Sequence, residues 1–140
     1  MRPITEIIVH CAATEAHKDF TARDIKLWHT LPPPKGNGWK DIGYHFVIDL
    51  NGTIEVGRPI EQIGAHCKNH NTGTIGICYV GGLKNGKPSD TRTDAQKASL
   101  IKLINSLKVV FPTITKVSGH RDYANKACPC FDAAKDYSDL

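Results

Sequence analysis

Residues Gly43–Arg58 read GYHFVIDLNGTIEVGR, and the fold can be worked out from this stretch. Tyr44, Phe46 and Ile48 alternate with His45, Val47 and Asp49, which is the period-two pattern of a strand. Asn51-Gly52 then offers a tight turn, because both residues tolerate positive φ, and TIEVG leads back. The segment is a β-hairpin. Toward the N-terminus, Thr5–His10 (TEIIVH) is a short β-branched run that reads as a buried strand ending on His10. Thr21 with Asp24 resembles a capping box, and ARDIKLWHT places Ile25, Leu27, Trp28 and Leu31 at helical spacing. PPPKGNG stops that helix. Toward the C-terminus, TGTIGICYVGG is nearly continuous in apolar residues and rich in glycine. It reads as a central strand closely approached on one face. Thr93 and Gln96 form a capping box at the start of the best helical pattern in the chain. Its stripe is Leu100, Ile101, Ile104, Leu107 and Phe111, and Pro112 ends it. TITKVSGH is a last strand, ending on His120.

This order of elements predicts one α/β domain over residues 1–140, a mixed β-sheet packed with helices. The bulk numbers agree. A chain of 140 residues with 40% hydrophobic and 23% charged residues can bury a core without staples. The net charge of +4 is too mild to imply a nucleic-acid partner. No apolar run approaches the roughly 18 residues of a membrane span. The N-terminus has no sustained apolar segment of the secretory kind, since Thr5 and Glu6 interrupt it. Synthesis in a bacterial cytoplasm without a signal peptide, a monomeric state and no membrane insertion are therefore expected. Five cysteines, an odd number in a chain this long, point to free thiols or a metal ligand rather than a disulfide framework.

The chemistry concentrates in SGHRDYANKACPCFD, Ser118–Asp132. Two strands end in histidine, His10 and His120, and sites in α/β sheets form at strand ends. Cys128 can loop back to the same point. Two imidazoles and a thiolate are good zinc ligands, and three protein ligands leave a fourth tetrahedral position open, the arrangement of catalytic zinc. The opposing reading is a polar C-terminal loop with unrelated histidines, and the ligand spacing alone does not decide between them.

Four segments carry a resemblance: IIVHCAAT, DIGYHFVIDLNGTIEVGRP, IGAHCKNHNTGTIGICYVGG and GHRDYANKACPCFD. Together, and in this order, they resemble the zinc-dependent N-acetylmuramoyl-L-alanine amidases of the type-2 amidase family. That family includes small phage lysozyme-type amidases and animal peptidoglycan recognition proteins. The resemblance implies one zinc ion held by His10, His120 and Cys128. It implies catalytic roles for Tyr44, which faces the reacting water, and Lys126, which stabilises the reacting carbonyl. It places His66 and Asn71 along the substrate groove. Trp39 reads equally as a core anchor or as a groove wall that binds substrate. The implied activity is hydrolysis of the amide between N-acetylmuramic acid and L-alanine in peptidoglycan, as a phage or prophage endolysin acting on the wall after release, with a holin as one route. The alternatives are a non-catalytic peptidoglycan-binding module and a cysteine hydrolase using Cys11 or Cys128.

The remaining residues have plainer readings. Strand alternation points His45 away from Tyr44, and Cys11 away from His10 as a core thiol. His17, His29 and His70 read as surface or loop residues. Cys67 and Cys78 read as buried, with a bridge between them conceivable. Cys130 departs from the family pattern, either as a structural thiol or as a redox-sensitive one able to pair with Cys128.

Overall fold

The structure, a computed structural model, describes all residues 1–140. Five strands form the main sheet: β1 (Glu6–Cys11), β3 (Phe46–Ile48), β4 (Ile54–Val56), β5 (Thr74–Tyr79) and β8 (Lys116–Gly119), in the order β4-β3-β5-β1-β8. Strand β5 lies parallel to both β1 and β3, and β8 lies parallel to β1. Only the β3–β4 hairpin is antiparallel. The hairpin closes where expected, with Gly52 at φ 86° and its N–H donating to the Asp49 carbonyl. A second sheet of three short strands, β2 (Thr14–Glu15), β6 (Gly82–Lys84) and β7 (Lys87–Pro88), was not foreseen.

Each face of the main sheet buries its own cluster. On one side Ile7, Val9, Ile75, Ile77 and Tyr79 pack against Leu100, Leu103, Ile104 and Leu107 of helix α2 (Asp94–Val110), and against Phe131, Ala133 and Tyr137 around the short helix α3 (Ala133–Asp136). On the other side Val47, Cys78 and Val80 pack against Ile42 and against Ile25 of helix α1 (Ala22–Thr30). Two helix stripes differ from expectation. In α2, Ile101 is 44% exposed and Leu103 takes its place in the core. In α1 only Ile25 is buried, while Leu27, Trp28 and Leu31 reach solvent.

The start of α2 is tied to the sheet by one buried side chain. Gln96 accepts from the Thr93 N–H through Oε1 and donates through Nε2 to the carbonyls of Ile48 and Val80. It therefore caps the helix and satisfies two carbonyls at the ends of β3 and β5. Gln96→Ala is expected to lower the unfolding free energy by about 2–4 kcal/mol, because buried groups lose their partners. Urea unfolding of the two proteins measures this, and a loss below about 0.5 kcal/mol would contradict it.

Candidate metal centre and active site

In parallel β1 and β8, Val9 is in register with Gly119, so the following residues, His10 and His120, emerge side by side at the C-terminal ends of neighbouring strands. Their ring centroids are 4.7 Å apart. His10 is the fifth residue of β1, whereas β8 stops at Gly119 and His120 opens a 3₁₀ turn that runs to Asp122. The expected last strand is thus shorter at both ends, four residues instead of eight, and the turn carries His120 beside His10. The segment that follows is held firmly. The Gly119 N–H donates to Asp122 Oδ2, the Arg121 N–H donates to the Cys128 carbonyl, and the Tyr79 hydroxyl donates to the Pro129 carbonyl at 2.6 Å. This brings Cys128 Sγ to 4.0 Å from His10 Nδ1. The three ligand atoms of His10, His120 and Cys128 lie within 4.8 Å of one another.

This donor set fits zinc. Bonds of about 2.0–2.1 Å to nitrogen and about 2.3 Å to sulfur put the ligand atoms of a tetrahedral ion roughly 3.3–3.6 Å apart. Closing the observed cluster onto an ion needs a contraction of at most about 1.5 Å. Burial, then the charges of His66, His120 and Lys126, holds His10 well below the usual imidazole range. Burial and then Lys126 lower His120. Both rings are therefore neutral and able to ligate at neutral pH. The Cys11 N–H points at Cys128 Sγ at 3.2 Å, a donor suited to a thiolate.

Aromatic side chains extend the site outward. Tyr44 lies 5.1 Å from the His10 ring, and burial, then the neighbouring thiols Cys78, Cys128 and Cys11, keeps its phenol protonated. His29 sits 5.5 Å from Tyr44 and 4.9 Å from Trp39, and its Nδ1 accepts from the Gly43 N–H. His29 is therefore part of the wall beside the site and not a free surface histidine. No period or motif marked it, because it falls in the last turn of a helix, outside the apolar stripe of Ile25, Leu27, Trp28 and Leu31. Trp39 is 40% exposed at the outer end of this row. Lys126 is exposed on the ligand loop, close enough for its charge to act on both histidines.

His45 is a correction. It does not point to the side opposite Tyr44, because β3 begins only at Phe46 and strand alternation does not reach residues 44 and 45. His45 is fully buried 5.8 Å from the His66 ring, and burial pushes it down to about 4. The Gly76 N–H donates to its Nδ1, so its remaining proton is on Nε2, 2.8 Å from the Gln62 carbonyl. His66 is buried behind His10 and is likewise pushed down, to about 3. Asn71 Oδ1 accepts from the N–H groups of His66 and Cys67, which fixes the loop that carries them. His70 stacks on Tyr123 at 3.9 Å. All five cysteines are free thiols, so Cys67 and Cys78 form no bridge. Cys11 is a buried core thiol as expected. Cys130 turns its sulfur to Cys11 Sγ, 3.9 Å away, and to the Gly82 carbonyl, not toward Cys128.

A mixed sheet delivers two neutral imidazoles and a thiol to its carboxyl edge, a donor set of the kind catalytic zinc uses, and comparison with known proteins gives the class of enzyme. The fold matches the N-acetylmuramoyl-L-alanine amidase LysC from Clostridium intestinale URNW with a TM-score of 0.79 at 28% identity, covering 96% of this chain and 82% of that one. Residues 1–131 match the N-acetylmuramoyl-L-alanine amidase family model, and the chain belongs to that family, the type-2 amidases. Relatives include the endolysin of Klebsiella phage KP32, 43% identical over 91% of this chain and 82% of the relative. The endolysin of Escherichia phage T7 is 40% identical over 90% of this chain and 80% of the relative. The protein is an amidase by fold and by family, as the four sequence segments implied. No helix is long and apolar enough to cross a membrane.

Proposed function

We propose that this chain is a zinc-dependent endolysin that hydrolyses the amide between the lactyl group of N-acetylmuramic acid and L-alanine in peptidoglycan, with residues 1–140 as one catalytic unit. The observation that carries the reading is the convergence of His10, His120 and Cys128 beside Tyr44 and Lys126. Zinc, when held there, supplies Lewis-acid polarisation of the scissile carbonyl and a nucleophilic water near neutral pH. The chain's own groups do the rest. His10 and His120 offer neutral nitrogens, and the Cys11 N–H stabilises the sulfur of Cys128. Tyr44 keeps its hydroxyl proton and can orient the attacking water or donate to the oxyanion as it forms. The Lys126 ammonium offsets that developing negative charge. Trp39 presents an exposed ring to substrate beside His29. Asn71 shapes the groove through the loop that its Oδ1 holds, and His66, buried behind His10, acts through that residue and not by touching substrate. The protein is proposed to work as a monomer, made in the bacterial cytoplasm and acting on the wall after release, with no nucleic-acid ligand.

A non-catalytic binding module is disfavoured because all three ligand positions are filled and converge. A cysteine hydrolase built on Cys11 is disfavoured because a hydrogen bond with Cys128, and then burial, pushes that thiol far from thiolate formation. The test is the bond cut. Digestion of purified peptidoglycan is expected to release new amino termini of L-alanine without new reducing sugar ends. A glycosidase would instead need a carboxylate pair roughly 5–9 Å apart. Reducing ends without amino groups would refute the amidase reading, and amino groups from another residue would move the cut into the stem peptide.

A further inference from the structure

We propose that His66 and Thr74 are positioning residues that fix the tautomer of His10, so that its Nδ1 lone pair is always turned toward Cys128 and His120. The inference deepens the metal-centre reading and rests on His10 being a ligand. It follows from a chain of buried hydrogen bonds whose direction is set at the far end. His10 Nε2 lies 2.9 Å from His66 Nδ1, and His66 Nε2 lies 3.2 Å from Thr74 Oγ1. The Thr74 hydroxyl also lies 2.7 Å from the His70 carbonyl and 3.1 Å from that of Asn71. A hydroxyl has one proton, and carbonyls only accept. Thr74 therefore gives its proton to the carbonyl side and can only accept from His66. That puts the His66 proton on Nε2 and leaves a lone pair on Nδ1. The lone pair faces His10 Nε2, which must then carry the His10 proton. His10 Nδ1 is left bare, and it is this atom that lies 4.0 Å from Cys128 Sγ.

The parts are locked so that the direction cannot easily reverse. His10, His66 and Thr74 are 1%, 8% and 4% exposed, so water cannot substitute for a lost partner. The His66 ring fills the space left by a missing side chain on β5. A Cβ on Gly76 would stand 2.5 Å from His66 Cγ, so only glycine admits the ring there. This is the close approach that the glycine-rich strand implied. The loop bearing His66 is fixed by Asn71, and the same loop supplies the carbonyls that orient Thr74. A zinc-bound histidine usually has its second nitrogen held by a carboxylate or a carbonyl. Here the holder is another imidazole, which has two tautomers of its own and needs Thr74 to choose between them.

The experiment is ¹⁵N-histidine NMR of the metal-free protein, combined with zinc affinity by chelator competition. In the wild type, His10 and His66 are both expected to carry their proton on Nε2. Thr74→Val, which removes the acceptor at nearly constant shape, is expected to mix the His66 tautomers and weaken zinc binding about 10- to 100-fold. Thr74→Ser is expected to restore both readouts. A wild-type His10 or His66 protonated on Nδ1 would overturn the proposal, and so would a Thr74→Val protein with unchanged tautomers and unchanged affinity. Failure of Thr74→Ser to recover, with Thr74→Val thermally destabilised, would reduce Thr74 to a packing residue and overturn it as well. Correct tautomers in a wild type that binds no zinc would instead refute the metal reading and leave the hydrogen-bond chain standing.

Discussion

Cys128→Ala is expected to purify folded and without zinc, and to lose peptidoglycan hydrolysis by on the order of 10⁴-fold or more. With one of three ligands gone, the two remaining imidazoles hold a divalent ion weakly. Without the ion, the pKa of the water rises far above neutrality, and little nucleophile is left at neutral pH. Neither neighbouring thiol can replace the lost one. Cys130 Sγ is directed to Cys11 and the Gly82 carbonyl, and Cys11 is a core residue on the opposite face of β1. The fold is expected to survive because Cys128 only borders the main core, while the loop is held by the Tyr79 hydroxyl and by Phe131. Elemental analysis and a peptidoglycan digest on the same sample decide the matter. Near-unit zinc with wild-type turnover in Cys128→Ala would move the third ligand elsewhere.

Tyr44→Phe and Lys126→Ala should behave differently, retaining zinc and fold while turnover drops about 100- to 1000-fold, the usual cost of removing a donor to a developing oxyanion. Tyr44→Phe keeps the ring that lies against His10 and His29 and deletes only the hydroxyl. Lys126 is exposed, so its removal leaves no cavity. Because both groups act on charge that appears during the reaction, the loss should fall in kcat, with KM nearly constant. Wild-type turnover in either variant would remove that residue from the chemistry. A rise in KM alone would turn it into a substrate-binding group.

The parts of this molecule that were legible in the sequence are those with a repeating pattern or a punctuating residue. The Asn51-Gly52 hairpin, the β1 run ending at His10 and the capped helix α2 all appear where local rules put them. The ligand cluster was reachable because two strand-end histidines imply one edge of one sheet. What escaped depends on geometry without a period. Strands β6 and β7 are two or three residues long, too short to alternate, and Asn85-Gly86, with φ of 52° and 74°, is the one local turn signal between them. His45 was misplaced because the strand rule was extended two residues beyond the strand. His66 could not be recognised as the partner of His10, since nothing in a linear sequence says that Gly76 leaves room for its ring. Cys130 faces Cys11 because of a left-handed backbone at φ 72°, which a non-glycine residue rarely adopts and residue identity did not announce.

The pairing of β1 with β8 has a consequence for when the enzyme can become active. His10 and Cys128 are separated by 118 positions, and His120 stands beside His10 only once the last strand has docked on the first. A nascent chain on the ribosome therefore carries one of the three clustered residues from early in synthesis and lacks the other two until residue 128 has emerged. Truncated or stalled translation products cannot assemble the centre, however well their hairpin or long helix forms. The topology makes the assembled centre a property only of chains in which β8 and the segment through Cys128 have been made and have docked on β1.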